Sequence, residues 1–271
     1  MSDSAHSTEN GAAGGAGGGA ADSTDALARL LDGAFAHGAA LTQVAPGLIP
    51  RSADDAYRVQ DRLLQLRRQR AGGWKVGSKT ATGPIQGAPL PAGGIHSSPV
   101  RWQRSAFPMI GLELEIAFRL GRDFEPSVQA YSSEEVLGSV SSICATIEIV
   151  SSRLAAWPQA DKLLQLADLQ NHGALVVGGL VDYDPHFPYL APALEFRFEG
   201  DQIAQGQAAN PAGDPRRLLA WVVNHCTGRG RRFEAGTIVT TGSYTGLYLA
   251  SRSGTAEGAI AGLPPVSVRL D

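Results

Sequence analysis

The run Leu112-Glu113-Leu114-Glu115-Ile116-Ala117-Phe118-Arg119-Leu120 constrains the fold of this chain more than any other segment. Apolar side chains recur at every second position, from Leu112 through Leu114, Ile116 and Phe118 to Leu120. That is the period of a strand with one face against a core. Glu113 and Glu115 then project from the other face, roughly 7 Å apart along the strand. Glutamate is a poor strand former and like charges on one face repel, so this placement costs stability unless a positive group offsets it. A divalent cation is the simplest such group. A second strand pattern, Cys144-Ala145-Thr146-Ile147-Glu148-Ile149-Val150, sets Glu148 between two isoleucines. Three carboxylates converging from two strands make an all-oxygen donor set suited to Mg²⁺ or Mn²⁺. The bland alternative is an exposed sheet face on which Glu113 and Glu115 are merely solvated.

The rest of the chain supplies a setting for that strand pair. Ser23 or Thr24 can cap a helix running to about His37, with Leu27, Leu30, Leu31 and Phe35 as its apolar stripe. Ser52 with Asp55 resembles a capping box for a second helix, which carries Ala56, Val59, Leu63 and Leu66 inward and which Gly72-Gly73 should stop. Beyond it the pattern changes to strands separated by turns. Leu194–Phe198, the Gly200-Asp201 turn and residues 203–207 read as a hairpin. Asp214-Pro215 opens a helix that Gly228 ends, and segments 239–241 and 266–270 supply late strands. Helices ahead of a strand-rich body, without regular strand–helix alternation, predict an α+β fold.

With 271 residues, 43% of them hydrophobic, the chain can bury a sizeable core. A net charge of −3 leaves no basic excess for nucleic acid or anionic lipid. Cys144 and Cys226 lie in apolar stretches and read as buried thiols in a reducing compartment. Residues 1–22, rich in Gly, Ala and Ser, are expected to form a disordered tail. They have neither the basic start nor the apolar core of a secretory signal, and no apolar run reaches the ~20 residues of a membrane span, so cytoplasmic residence is expected.

Several further segments recur in order around the glutamates: Gly73-Trp74-Lys75-Val76-Gly77, then Glu148 with Ser151-Ser152-Arg153, Ala167-Asp168, Gly173–Gly178, and Thr240-Thr241-Gly242. This order resembles the fumarylacetoacetate hydrolase superfamily, specifically its 2-keto-4-pentenoate hydratase and 4-oxalocrotonate decarboxylase branch, over about residues 25–271. The resemblance implies a mixed β-sandwich or roll, with residues 23–73 as a helical segment beside a β-rich catalytic domain at 74–271. It also implies a homo-oligomer acting on a small 2-oxo acid in aromatic catabolism.

The resemblance assigns Glu113, Glu115 and Glu148 to one Mg²⁺ or Mn²⁺. Such an ion keeps positions open for the two oxygens of a 2-oxo acid, and polarising the C2 oxygen makes C3 acidic. Lys75 matches the family lysine, whose roles are proton transfer or charge stabilisation; burial favours its neutral form and nearby carboxylates its charged form. Asp168 matches a family acid, and His172 is a candidate proton shuttle, although a loop histidine is also an ordinary hydrogen-bonding residue. Asn171 is a candidate pocket wall, and Thr241, Gly242 and Ser243 a turn that receives the substrate carboxylate. The chain departs from the branch near Ala92, where hydratases commonly carry an acid, so slow hydration is expected if that acid matters. A decarboxylase, tautomerase or C–C hydrolase of the same superfamily, or a non-catalytic assembly subunit, are the alternatives.

Overall fold

The computed structural model describes residues 16–271. The expected tail over residues 1–15 lies outside the described residues. Residues 16–22 are helical and belong to α1 (Ala16–His37), so this helix opens upstream of Ser23 and Thr24 rather than at either of them. Extending an existing helix needs no new nucleus, which lets it run into this segment despite Gly17, Gly18 and Gly19. Leu27, Ala28 and Leu31 are fully buried, whereas Leu30 turns outward.

Helix α2 (Ala53–Leu66) starts as its sequence indicates. The Ser52 side chain accepts the Asp55 N–H at 3.1 Å, and the Asp55 carboxylate in turn accepts from Arg51 N at 3.0 Å. The helix ends at Leu66, well before Gly72-Gly73, which lie inside β1 (Ala71–Ser78). Close approach explains these glycines: a Cβ on Gly73 would lie 2.8 Å from Ile238 O and one on Gly72 2.8 Å from Ala92 Cα.

The chain continues through β2 (Ile85–Pro91), β3 (Ile95–Ser97), β4 (Val100–Trp102), β5 (Gly111–Leu120), α3 (Ser133–Leu137), β6 (Val140–Val150), α4 (Lys162–Ala167), β7 (His172–Val177) and β8 (Val181–Asp182). It closes with β9 (Leu194–Phe198), β10 (Asp201–Gln202), α5 (Arg217–Thr227), β11 (Ile238–Thr240), β12 (Tyr248–Leu249), β13 (Gly254–Ile260) and β14 (Val266–Leu270). The hairpin is present, but its second strand is only Asp201–Gln202, and α5 begins at Arg217, after the expected proline.

Among the described residues, one sheet has nine strands in the order β2-β1-β11-β5-β6-β7-β3, with β12 beside β5 and β8 beside β6. The other has five, in the order β10-β9-β13-β14-β4. Both mix parallel and antiparallel pairs, and with few helices the molecule is the expected α+β sandwich. Leu112, Leu114, Ile116 and Phe118 join Ile147, Phe196 and Val268 in the main core between the sheets. Outside the large sheet, α1, α2 and α4 form a second core with Leu27, Leu31, Leu63 and Leu164. The alternation of β5 therefore turns its glutamates away from the main core.

Candidate active site

Register brings the acids together. In the β5–β6 ladder Glu113 stands directly opposite Glu148, and Glu115 opposite Thr146. One carboxylate oxygen from each of Glu113, Glu115 and Glu148 lies within 4.8 Å of the other two. Glu148 is fully buried, Glu115 is 2% exposed, and Glu113 is half-buried. Next to β5, β11 supplies Thr240, whose hydroxyl donates to Glu115 Oε2; the Gly242 N–H donates to the same oxygen at 3.0 Å. Gly242 holds φ at +91°, a conformation L side chains rarely adopt, and that turn aims its N–H at Glu115.

Lys75 reaches the cluster from β1. Its Nζ donates to Glu148 Oε1 at 2.6 Å and to Gln170 O at 3.2 Å. Burial alone would lower the lysine pKa, but Glu148, Glu113 and Glu115 together raise it above the ordinary value, so the ammonium form persists. Burial raises Glu148 as well, yet Lys75 and His172 outweigh it and hold this carboxyl below the usual range. Its neighbours behave otherwise. Burial, then repulsion from Glu148, lifts Glu113 to about 7, and burial with Glu148 and Glu113 lifts Glu115 to about 8. One lysine thus leaves the anionic charge of the group incompletely compensated.

The donor set fits a hard divalent ion. All three candidate donors are carboxylates at a separation such an ion would span with bonds of about 2.0–2.6 Å. Glu148 Oε2 is moreover buried without a hydrogen-bond partner, a cost normally avoided.

The cluster lies at a cavity of about 820 Å³, whose wall includes Lys75, Asn171, Gly242 and Ser243. Asn171 Oδ1 has no partner, and its Nδ2 reaches Gln165 Oε1 at 3.4 Å. Ser243 Oγ donates to Gly246 O at 3.1 Å. His172 stands behind the cluster, 1% exposed, with Nδ1 at 3.0 Å from Glu148 Oε1. Burial shifts its pKa down, toward the neutral imidazole.

Besides His172, two expected site residues are not at the cavity. Asp168 is fully buried on Arg153, accepting from its Nε and, at 2.9 Å, from its backbone N–H, while Ser152 Oγ donates at 3.2 Å. A carboxylate so committed holds the loop that follows β6 and does not line the cavity. Thr241 is also fully buried, its hydroxyl donating to Ile116 O at 2.8 Å, because strand alternation turns Thr240 rather than Thr241 toward the acids. Ala92 packs against Gly72 and does not line this cavity.

Arg153 and the Gln170 carbonyl carried no assignment in sequence. Arg153 NH2 donates to Asp168 O and NH1 to His172 O, clamping both ends of a turn in which Leu169, Gln170 and Asn171 have φ of 48°, 51° and 61°. That turn aims Gln170 O at Lys75. Its sequence signal was the Ser151-Ser152-Arg153 segment that follows the buried strand, which carried no role of its own.

This fold and this acidic site define a class. The model for the fumarylacetoacetate (FAA) hydrolase C-terminal family matches residues 87–267, and the chain belongs to that family. Within it, the chain is 27% identical over 242 residues to a 2-keto-4-pentenoate hydratase 1 of Dechloromonas aromatica, covering 86% of this chain and 90% of the relative. It is 26% identical over 234 residues to a 2-hydroxyhexa-2,4-dienoate hydratase of Comamonas testosteroni, covering 81% and 86%. A 4-oxalocrotonate decarboxylase from Pseudomonas putida, complexed with magnesium and adipate, superposes with a TM-score of 0.81 at 19% identity over 93% of this chain and 98% of that one. The last likeness is one of fold.

Proposed function

We propose that the protein is a divalent-metal-dependent lyase of hydratase type acting on a 2-oxo-alkenoate such as 2-hydroxypenta-2,4-dienoate. Glu113, Glu115 and Glu148 are its ligands for Mg²⁺ or Mn²⁺. The convergence of these carboxylates with charged Lys75 at one cavity carries the reading. The names of the sequence relatives support the reaction class.

A bound divalent ion would supply Lewis acidity to the paired oxygens of a 2-oxo acid. The remaining work falls to the chain. Lys75, held between Glu148 and Gln170 O, offers its ammonium to negative charge developing on the substrate and is the candidate proton donor. Thr240 and the Gly242 N–H fix the orientation of Glu115, and His172 fixes that of Glu148. Asn171 and Ser243 provide polar contacts along the cavity wall.

A second reading, decarboxylation of a dicarboxylate of the 4-oxalocrotonate kind, is favoured by Lys79 and Lys162, two further cations of the same cavity wall able to hold a distal carboxylate. Enol absorbance distinguishes the two when each substrate is offered with Mg²⁺, with Mn²⁺ and with chelator. Metal-dependent loss of the diene supports the hydratase, and loss of 4-oxalocrotonate the decarboxylase. Turnover insensitive to chelator, or none of either substrate, sinks both.

The same reading includes a cytoplasmic homo-oligomer. No helix among the described residues is long and apolar enough to cross a membrane. Exposed Leu249 beside half-buried Met109 is an apolar spot suited to self-association, which light scattering tests.

A further inference from the structure

The chain anchors one oxygen on each of the two deepest carboxylates. Glu148 Oε1 accepts from Lys75 Nζ at 2.6 Å and lies 3.0 Å from His172 Nδ1, while Oε2 has no partner. Glu115 Oε2 likewise carries two donors, the Thr240 hydroxyl and the Gly242 N–H. Anchoring one oxygen fixes the carboxylate plane and leaves the other oxygen to an ion.

Thr240 is itself held. Its Oγ1 lies 3.2 Å from Thr146 Oγ1, and both threonines are fully buried. They do not belong to neighbouring strands. Thr240 is on β11 and Thr146 on β6, the strands that flank β5, so their backbones run roughly 10 Å apart and the side chains meet across the strand between. Register sets up the contact. Thr146 stands opposite Glu115, and Thr240 opposite Ala117, the next residue on the same face of β5. Glu115 therefore has a threonine on each side.

Proton counting gives the direction of these hydrogen bonds. A carboxylate that holds a cation is an acceptor only, so the bond between Glu115 and Thr240 is made with the threonine proton. Thr240 has a single hydroxyl proton, and Glu115 takes it. Towards Thr146 its oxygen can then only accept, and Thr146 must donate. That donation keeps Thr240 from turning its proton elsewhere, and a hydroxyl that accepts a hydrogen bond donates a stronger one.

We propose that Thr146 is a positioning residue for the metal site: it donates to Thr240 and so holds the Thr240 hydroxyl on Glu115, in the orientation from which Glu115 ligates the ion. This role rests on the divalent ion proposed above and reaches a residue that does not line the cavity.

Calorimetric titration of the full-length protein with Mg²⁺ tests it, on the wild type, Thr146→Val, Thr146→Ser, Thr240→Val and the double valine variant. Thr146→Val keeps the volume and removes the donor. It should weaken Mg²⁺ binding about tenfold, the lower end of what partners behind metal ligands contribute. Thr146→Ser restores the hydroxyl and should recover most of the affinity. Thr240→Val should weaken binding at least as much as Thr146→Val. The double variant should bind no more weakly than Thr240→Val alone, because Thr146 has nothing to act on once the Thr240 hydroxyl is gone. No Mg²⁺ binding by the wild type would sink the metal reading itself. With Mg²⁺ bound by the wild type, equal affinity in Thr146→Val would overturn the role of Thr146 and leave the metal reading standing. So would a further loss in the double variant, or no recovery with serine, since either marks a packing effect. Should Thr240→Val fail to fold or to bind, the valine and serine variants at position 146 decide the matter.

Discussion

Lys75 shows how a single residue acquires its role from its surroundings. Burial pulls it toward neutrality, three carboxylates hold it charged, and the carboxylates prevail. Lys75→Met should therefore cut turnover by about 10²–10⁴-fold, the usual worth of proton-transfer assistance, while the bound metal stays. Steady-state kinetics together with metal content checks this, and full activity would remove Lys75 from the mechanism. Asp168 makes the opposite case. Asp168→Ala leaves the Arg153 guanidinium buried without its carboxylate, which should cost about 3–5 kcal/mol in denaturant unfolding. A variant of unchanged stability that had lost only activity would return Asp168 to the substrate.

At the scale of elements, one histidine sits where α2, β1 and α5 meet. His225 of α5 stacks on Trp221 at 4.8 Å and meets Tyr57 of α2 at 4.4 Å and Trp74 of β1 at 5.6 Å, with Nε2 unpartnered. Burial, reinforced by Arg229 and Arg231, lowers its pKa to about 4. The unfolded chain takes up this proton near 6.5, so between these values it binds more protons than the folded one, and stability falls with falling pH. The contribution is fully present above about 6.5 and lost on descent through about 4. It amounts to at most about 3 kcal/mol, less what partial solvent access screens. Urea melts at pH 7 and 4.5 should show the loss, and His225→Phe should flatten it; an equal loss in that variant would place its origin elsewhere.

For the whole molecule, the carboxylate cluster couples stability to metal. Two strands hold Glu113 and Glu148 directly opposite each other, a repulsive cross-strand pair that a cation relieves. Saturating Mg²⁺ should raise the melting temperature, by an amount equivalent to about 2.7 kcal/mol at a hundredfold excess over Kd, and chelator should reverse it. The same titration on Glu148→Gln should show little shift. A wild-type melting temperature indifferent to metal would argue against an ion in the cluster.

Much of this was legible in the chain itself. Period-two alternation in residues 112–120 determines which face of β5 meets the core, because a strand presents its side chains to two faces only, and the glutamates had to lie opposite the leucines. The Ser52 cap, the turn at Gly200 and the final strand were equally local. Capping, turn geometry and pleat each depend on a few consecutive residues. Register and close approach do not. Only the tertiary structure decided that Glu113 faces Glu148, that Lys75 reaches Glu148 from three strands away, and that Gly72-Gly73 make room for neighbouring backbone instead of ending a helix. It also kept Asp168, His172 and Thr241 off the cavity wall, the first drawn to Arg153, the second set behind Glu148 and the third turned onto Ile116. Those outcomes turn on which distant side chain wins a buried partner, a competition among residues far apart in sequence that local patterns do not encode.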